Sequence, residues 1–386
     1  MDCTLFGYFV SYLTKYLKKV LRNGSLPIPH PLKRGGGTDG QKQIYMKKIV
    51  TIGGGTGSFM LLSGLKKYPV EIGAVVSMAD NGGSGGVLRD ELGVLPPGDV
   101  RQCLVALSDA SDDMRTLMNY RFTEGGLRGH SFGNLFLSAL EKTHKNFLEG
   151  IDTAMEILKV KGRVIPVTGS KAELRMELSD GTFIEGEDNI DHAKFQKTGV
   201  KRLLFASPVK ANPVAVAAIK NADVIVIGPG DIYGSILANL IIPEVASAIR
   251  KSSAPLIYNV NLTNKKGQTE GFGVDDYVDA IEGIVGKGRV NFVLYNTKRP
   301  SPKLLKKYEE QEGKNFSVEF HADKNPKRGY RLVRGDFLKG GEAKHAKGDA
   351  LAASRSFIRH DSEKLAKAIM LVSELPEYEN IISDIL

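Results

Sequence analysis

The stretch KKIVTIGGGTGSFMLLSGLKKY, Lys47–Tyr68, decides the fold. Ile49–Ile52 is a short β-branched run, and Gly53, Gly54, Gly55 and Gly57 fill four of the next five positions. Apolar residues at helical spacing follow, from Phe59 to Lys67. A strand that turns through glycine straight into a helix leaves backbone N–H groups uncovered at the helix start, with Ser58 as a candidate cap. Glycine lets that backbone take positive φ and approach a ligand closely. Such a turn suits an anion, phosphate first, and the alternative is a tight turn that holds nothing. It is not a Walker loop, because no Gly-Lys-Ser/Thr follows. It also departs from the dinucleotide fingerprint, because Ser58 stands where the third glycine belongs.

Outward from this stretch, strand and helix signals alternate. Ile72–Met78 reads as a strand, followed by a glycine-rich loop. Asp99–Ser108 and Ser131–Lys142 read as helices. The middle changes character: residues 163–168 and Glu173–Leu178 alternate like strands, and Asp180-Gly181 is a hairpin turn before Thr182–Glu185. This predicts a small β insert around residues 163–206. Alternation then resumes with helix Pro213–Asn221, strand Val224–Ile227, helix Leu237–Lys251, strand Leu256–Val260, helix Val274–Ile284 and strand Phe292–Tyr295. The pattern predicts an α/β fold: a Rossmann-like, doubly wound, mostly parallel sheet with the β insert. Ligands in such sheets sit beyond the carboxyl ends of the strands, where strand order reverses.

Two further loops repeat the design of the first. Gly228-Pro229-Gly230 follows a buried-type strand, and Tyr233-Gly234-Ser235 opens a helix. Asp80-Asn81-Gly82-Gly83-Ser84 follows the second strand. One glycine turn is ordinary; three after three strands suit a crevice that takes two phosphates with a sugar or base. Thr56, Pro229, Tyr233 and Ser235 complete the candidate loops.

Asp80 is placed to accept from ribose hydroxyls or to hold a metal-bound water, making Mg²⁺ the candidate ion; its plain alternative is a turn cap. Arg89 and Arg101 flank LPPGD, where arginine suits bidentate phosphate recognition, against structural pairing with Asp99 or Glu91. Gly129–Gly133 satisfies G-x-S-x-G, but RFTEGGLRG upstream is polar and glycine-rich. A nucleophile elbow needs a buried strand there, so a hydrolase is disfavoured. His130, Ser131 and Asn134 fit better as cap and ligand contacts at a helix start. Cys103 reads as a buried core thiol, and Arg359-His360-Asp361 as a cap of the last helix or an arm into the site. The lysines of KLLKKYEEQ read as a solvated helix face.

The 386 residues are 42% apolar, enough for one large core or two modest ones. Cys3 and Cys103 give neither metal spacing nor a disulfide framework, which predicts a reducing cytoplasm. Of the net charge of +9, residues 1–45 carry +5, so the body is only mildly basic. It shows no helix-turn-helix, zinc-finger or aromatic-basic pattern, which disfavours a nucleic-acid partner. Within residues 1–45, Phe6 to Arg22 reads as a basic amphipathic helix. Its alternatives are a membrane-surface contact through residues 1–22, docking on the body or a partner, or an upstream start codon with Met46 the initiator. A Pro- and Gly-rich linker follows it.

ADNGGSGGVLRDELGVLPPGDVRQCLVALSD (Ala79–Asp109), GLRGHSFGNLFLSAL (Gly126–Leu140), GPGDIYGSILANLIIPEVASAI (Gly228–Ile249) and RHDSEKLAKAI (Arg359–Ile369) follow the first motif in order. Together these segments closely resemble the bacterial gluconeogenesis factor family (YvcK-like), related to the archaeal 2-phospho-L-lactate transferase (CofD). The resemblance runs from Lys47 to the C-terminal helix. It implies a Rossmann-like fold, often a homodimer, and a nucleotide-type ligand. For the bacterial branch that ligand is a UDP-sugar such as UDP-N-acetylglucosamine, in a setting of carbon flow toward cell wall and cell shape. Three positions depart from the family pattern: Asn81 replaces a second acid, and Asp231 and Gly234 replace Ser and Thr. A carboxylate beside a phosphate is unfavourable unless it points away or meets a cation. The leading expectation is a nucleotide-sugar-binding regulatory protein. The runner-up is a transferase of a phosphoester group, and a nicotinamide-dependent oxidoreductase comes third.

Overall fold

The computed structural model describes residues 46–313, 316–340 and 358–383. The expectations for residues 1–45 fall outside the described residues. The described residues from Lys47 onward form one compact unit.

Ten strands are formed among the described residues, in chain order β1 (Lys48–Gly53), β2 (Glu71–Val76), β3 (Arg163–Pro166), β4 (Leu174–Leu178), β5 (Phe183–Glu185), β6 (Val200–Phe205), β7 (Val224–Ile227), β8 (Leu256–Asn259), β9 (Phe292–Asn296) and β10 (Arg331–Gly335). Seven of them make one parallel sheet in the order β10-β9-β8-β7-β1-β2-β3. β1 and β7 are central and covered by helices, which is why their sequences are unbroken apolar runs rather than alternating ones. Ile49, Ile52, Val226 and Ile227 are all fully buried there. Strand order runs outward on both sides from the β1–β7 pair, so the topological switch point lies between these two strands. The doubly wound parallel architecture expected from the alternation is the one observed.

Two local expectations are corrected. Residues 163–166 do not belong to the insert; they form β3, which pairs in parallel with β2 at the edge of the main sheet. The insert is instead the antiparallel sheet β5-β4-β6, with a short helix, Glu187–His192, between β5 and β6. A four-residue edge strand cannot be assigned to a sheet by its own periodicity. The expected single helix Leu237–Lys251 is broken. A π-helical turn, Ile232–Leu237, runs into Ala238–Leu240, and a bend of 74° leads to Pro243–Lys251. Pro243 begins the second piece, where its missing N–H costs nothing. No single helix among the described residues is long and apolar enough to cross a membrane.

The final helix, Ser362–Ser383, packs on the helix that leaves the first glycine turn, Gly55–Leu65. This contact carries the preceding residues, Ile358–Asp361, back to the carboxyl end of the sheet. There Lys339 N–H donates to the Arg359 carbonyl (2.9 Å) and Asp361 N–H to the Phe337 carbonyl (2.7 Å).

Candidate functional site

At the switch point the two glycine turns meet. The first helix begins inside its own glycine run, at Gly55, with Gly54 as the N-cap residue and no side-chain cap. Ser58 is therefore not the cap: it lies one turn in and is buried. Gly55 takes φ of +64°, the left-handed region. At Gly57 the first turn touches the second so closely that a Cβ would stand 1.7 Å from the Pro229 carbonyl oxygen. Glycine is required there by the approach of one backbone to another.

Beyond this contact opens a cavity of about 450 Å³, within the size range of small-molecule sites. Gly54–Gly57 form one wall, and Pro229, Gly230, Asp231 and Ser235 the next. The loop after β8, residues 261–265, forms a third wall, and Tyr308 with Ile358, Arg359 and His360 closes the remaining side. The uncapped start of the first helix faces this space, which suits an anion, while the second turn spends the N–H groups of Tyr233 and Gly234 on Asp231. Thr263 and Tyr308 share a hydrogen bond (3.3 Å), and Thr56 Oγ1 donates to Gln102 (3.4 Å).

Arg359-His360-Asp361 serves both ends of the expectation. Asp361 Oδ1 accepts from the N–H groups of Glu363 and Lys364 (3.0 Å each) and so caps the last helix. Arg359 and His360 line the cavity. Burial pushes the His360 imidazole down to about 4, so it is neutral at physiological pH.

Of the residues singled out in the sequence, Gly54, Gly55, Thr56, Gly57, Pro229, Gly230 and Ser235 come together at this cavity. Beneath it Gly53 ends β1 and Gly228 directly follows β7, and Gly228 N–H donates to the Ile52 carbonyl (3.0 Å). Tyr233 is buried within the π-helical turn, edge-on to Phe195.

The third glycine loop does not reach the cavity. It opens a helix, Gly83–Leu92, and Asp80 Oδ1 accepts from the Gly82 N–H (3.0 Å), the turn-cap role. Asn81 Oδ1 accepts from the Asp188 N–H (2.7 Å), tying this loop to the insert. Arg89 pairs with exposed Asp90 (2.8 Å). A buried chain of hydrogen bonds joins the remaining candidates: Arg101 Nε donates to Asn134 Oδ1 (2.9 Å), and Asn134 Nδ2 donates to Ser84 Oγ (3.2 Å). Ser84 Oγ also meets His130 Nδ1 (3.1 Å). Ser131 caps the helix Phe132–Thr143, as its motif predicts. Arg101 also donates to Asn119 Oδ1 (2.7 Å). Rather than an open phosphate clamp, this set knits four helices together behind the first turn.

A neighbour of that set on the Arg101 helix reaches the site. Asp99, from the helix Gly98–Leu107, packs under the first turn, where a Cβ on Gly54 would stand 2.2 Å from its Oδ2. Burial, then the neighbouring Asp80 carboxylate, push Asp99 up to about 8. Asp80 is raised too, chiefly by burial. Glu187 of the insert is pushed up to about 9 by burial and by Asp80. Cys103, on the same helix as Asp99, is fully buried, as expected.

Sequence reasoning missed the loop after β8 and the insert's Asp191. The first follows its strand with Asn-Leu-Thr-Asn-Lys instead of glycine, so the glycine signal that found the other turns was silent. The second lies on a short polar helix with no local mark of function.

A model of the 2-phospho-L-lactate transferase CofD family matches residues 49–338. The gluconeogenesis factor of Listeria innocua is 37% identical over 336 residues, covering 86% of this chain and 97% of that protein. That of Halalkalibacterium halodurans is 40% identical over 278 residues, covering 71% of this chain and 85% of that protein. A crystal structure of a UPF0052-family protein from Bacillus halodurans is 35% identical and superposes with a TM-score of 0.77, covering 85% of this chain and 100% of that one. With the family match spanning most of the doubly wound unit, the chain belongs to the CofD family, among the gluconeogenesis factors.

Proposed function

We propose that this chain is a nucleotide-sugar-binding regulatory protein that ties carbon metabolism to cell-wall synthesis and cell shape, with a UDP-sugar such as UDP-N-acetylglucosamine as its ligand. The observation that carries the reading is the meeting of two glycine turns over one cavity at the β1–β7 switch point. The uncapped N–H groups of the first turn take the pyrophosphate, and the remaining volume takes the uridine and the sugar. Regulation without turnover is supported by the cavity's chemistry. Its Thr56 and Thr263 hydroxyls are engaged with Gln102 and Tyr308, neither of which is a base, and its carboxylates, Asp191 and Asp231, both face Lys265. Its histidine titrates too low to be poised as one near neutral pH. The protein acts in the cytoplasm and as a homodimer on this reading.

Calorimetric titration with UDP-N-acetylglucosamine, UDP, GDP and NAD, with and without Mg²⁺, tests it. Micromolar binding of the UDP-sugar, with the compound recovered intact, is the expected result. Hydrolysis or transfer of the sugar nucleotide, or preference for GDP or NAD, would contradict it.

The Asp80–Asp99 pair favours a second reading, a CofD-like transferase of a phosphoester group. Two half-buried carboxylates beside the first turn are relieved by a divalent cation, and Mg²⁺ fits that donor chemistry. Among the described residues no group of three His, Cys, Asp or Glu is placed to hold a metal ion, so the ligand's own oxygens would complete the shell. Such an ion would supply charge stabilisation for transfer, and Asp80 and Asp99 would hold it. A GDP preference that appears only with Mg²⁺ would select this reading.

A further inference from the structure

Two acids and a lysine meet on one side of the cavity. Asp191 comes to it from the insert helix, Asp231 from the second glycine turn and Lys265 from the loop after β8. Lys265 Nζ is in direct contact with Asp191 Oδ1 and lies 3.9 Å from Asp231 Oδ2. Asp231 Oδ1 accepts from the N–H groups of Tyr233 (3.0 Å) and Gly234 (2.7 Å), which fixes the carboxylate's orientation. A third acid, Glu187, packs against Gly234, where a Cβ would stand 2.5 Å from its Oε1.

The backbone that carries Asp191 is anchored too. Buried Gln268 spends its amide on the insert: Nε2 lies within hydrogen-bond distance of the carbonyl oxygens of Ile190 (2.8 Å), Asp191 (2.8 Å) and Ala193 (3.1 Å). The wall is therefore preorganised and carries more carboxylate than cation. Its lysine is already shared by two acids, and the other cation lining the cavity, Arg359, belongs to the C-terminal segment. The conflict posed by Asp231, an acid on a phosphate turn, is met by both of the escapes the sequence allowed: one oxygen caps the turn and the other faces Lys265.

We infer that the Asp191–Lys265–Asp231 wall sets specificity, accepting a ligand whose end beyond the pyrophosphate is a neutral, hydroxyl-bearing sugar and rejecting one that ends in a carboxylate or a further phosphate. The inference rests on the nucleotide-sugar reading above. Fixed carboxylates accept hydrogen bonds from adjacent sugar hydroxyls, with Lys265 as donor to a ring substituent. An acidic end group in the same place meets like charge in a partly desolvated space, which is costly.

The test is calorimetry of the full chain with UDP, UDP-glucose and UDP-glucuronate, repeated on Asp191→Asn and Asp231→Asn, with thermal melts recording that each variant is folded. Asparagine keeps the capping acceptor of Asp231 and removes its charge. The wild-type protein should bind UDP-glucuronate at least about tenfold more weakly than UDP-glucose. Either variant should narrow that ratio to within about threefold, mainly by improving the acid sugar. Equal affinity for the two sugars in the wild-type protein overturns the inference, as does a ratio that both folded variants leave unchanged; UDP binding in those cases leaves the nucleotide-sugar reading standing. Silence toward UDP and both sugars overturns the two together.

Discussion

The contact between the glycine turns can be broken by one methyl group. In Gly57→Ala the new Cβ would lie 1.7 Å from the Pro229 carbonyl oxygen and 2.6 Å from its carbon. Ordinary contact begins at 3.4 Å, so the second turn must retreat by about 1.7 Å. The obstacle is backbone, which cannot rotate aside as a side chain does. Overpacking of this kind costs about 1–3 kcal/mol, a fall of a few °C in the melting midpoint for a chain this size. The effect on binding is larger in proportion, because a shift of about 1 Å in positioned groups reduces function by about a hundredfold. Gly230→Ala is the control: its Cβ meets Ser235 at 3.4 Å and the Gly54 oxygen at 3.8 Å, which is ordinary packing. The assay is calorimetric affinity for UDP-N-acetylglucosamine with melts of all three proteins. Gly57→Ala should weaken binding by about a hundredfold, and Gly230→Ala by less than about threefold. Wild-type affinity in a folded Gly57→Ala would refute the claim that the two turns form one site.

Two further predictions concern pH. Asp99 holds its proton up to about 8 when folded and releases it near 3.8 when unfolded, so the folded state binds the extra proton between these values. Its burden on stability is absent at acid pH and grows as pH rises through that window. Asp99→Asn should raise the melting midpoint at pH 8 and leave it nearly unchanged at pH 4; if Mg²⁺ stabilises the wild-type protein at pH 8, that gain should shrink in the variant. His360 has the opposite sign of proton linkage. Its folded value near 4 lies below the unfolded 6.5, so its contribution is complete above 6.5 and is lost as pH falls toward 4. Melts of His360→Gln should therefore show a shallower acid-side decline than wild type, and an identical slope would contradict the buried, neutral assignment.

The parts of the site that were legible in the sequence are those whose chemistry is local. The turns at Gly53–Gly57 and Gly228–Gly230 announce themselves because a bare backbone between an apolar strand and a helix has few other uses. Their meeting followed from topology, since both strands flank the switch point. The third loop carried the same glycine signal and belongs to a different neighbourhood. Asp80 turns inward to cap Gly82 and to crowd Asp99, and Ser84, Asn134, Arg101 and His130 spend their polar atoms on one another. Composition marks a loop as able to approach a ligand; only the packing decides what it approaches. Asp191 and Tyr308 were illegible for the converse reason. Each sits in a segment that reads as surface, the lysine-rich face of KLLKKYEEQ being exposed as expected while Tyr308 turns in to pack with Phe316. The edge strand β3 was misplaced because a four-residue strand carries no record of its partner.

The central claim is that the cavity between the two glycine turns is where the nucleotide-sugar binds. Hydrogen exchange of the full chain, with and without saturating UDP-N-acetylglucosamine, tests it most directly, because it reads every backbone N–H at once. The account predicts protection concentrated in residues 54–57, 230–235 and 261–265, the three loops that line the cavity. Protection confined to the Gly83–Leu92 and Phe132–Thr143 helices, with those three loops unchanged, would contradict it.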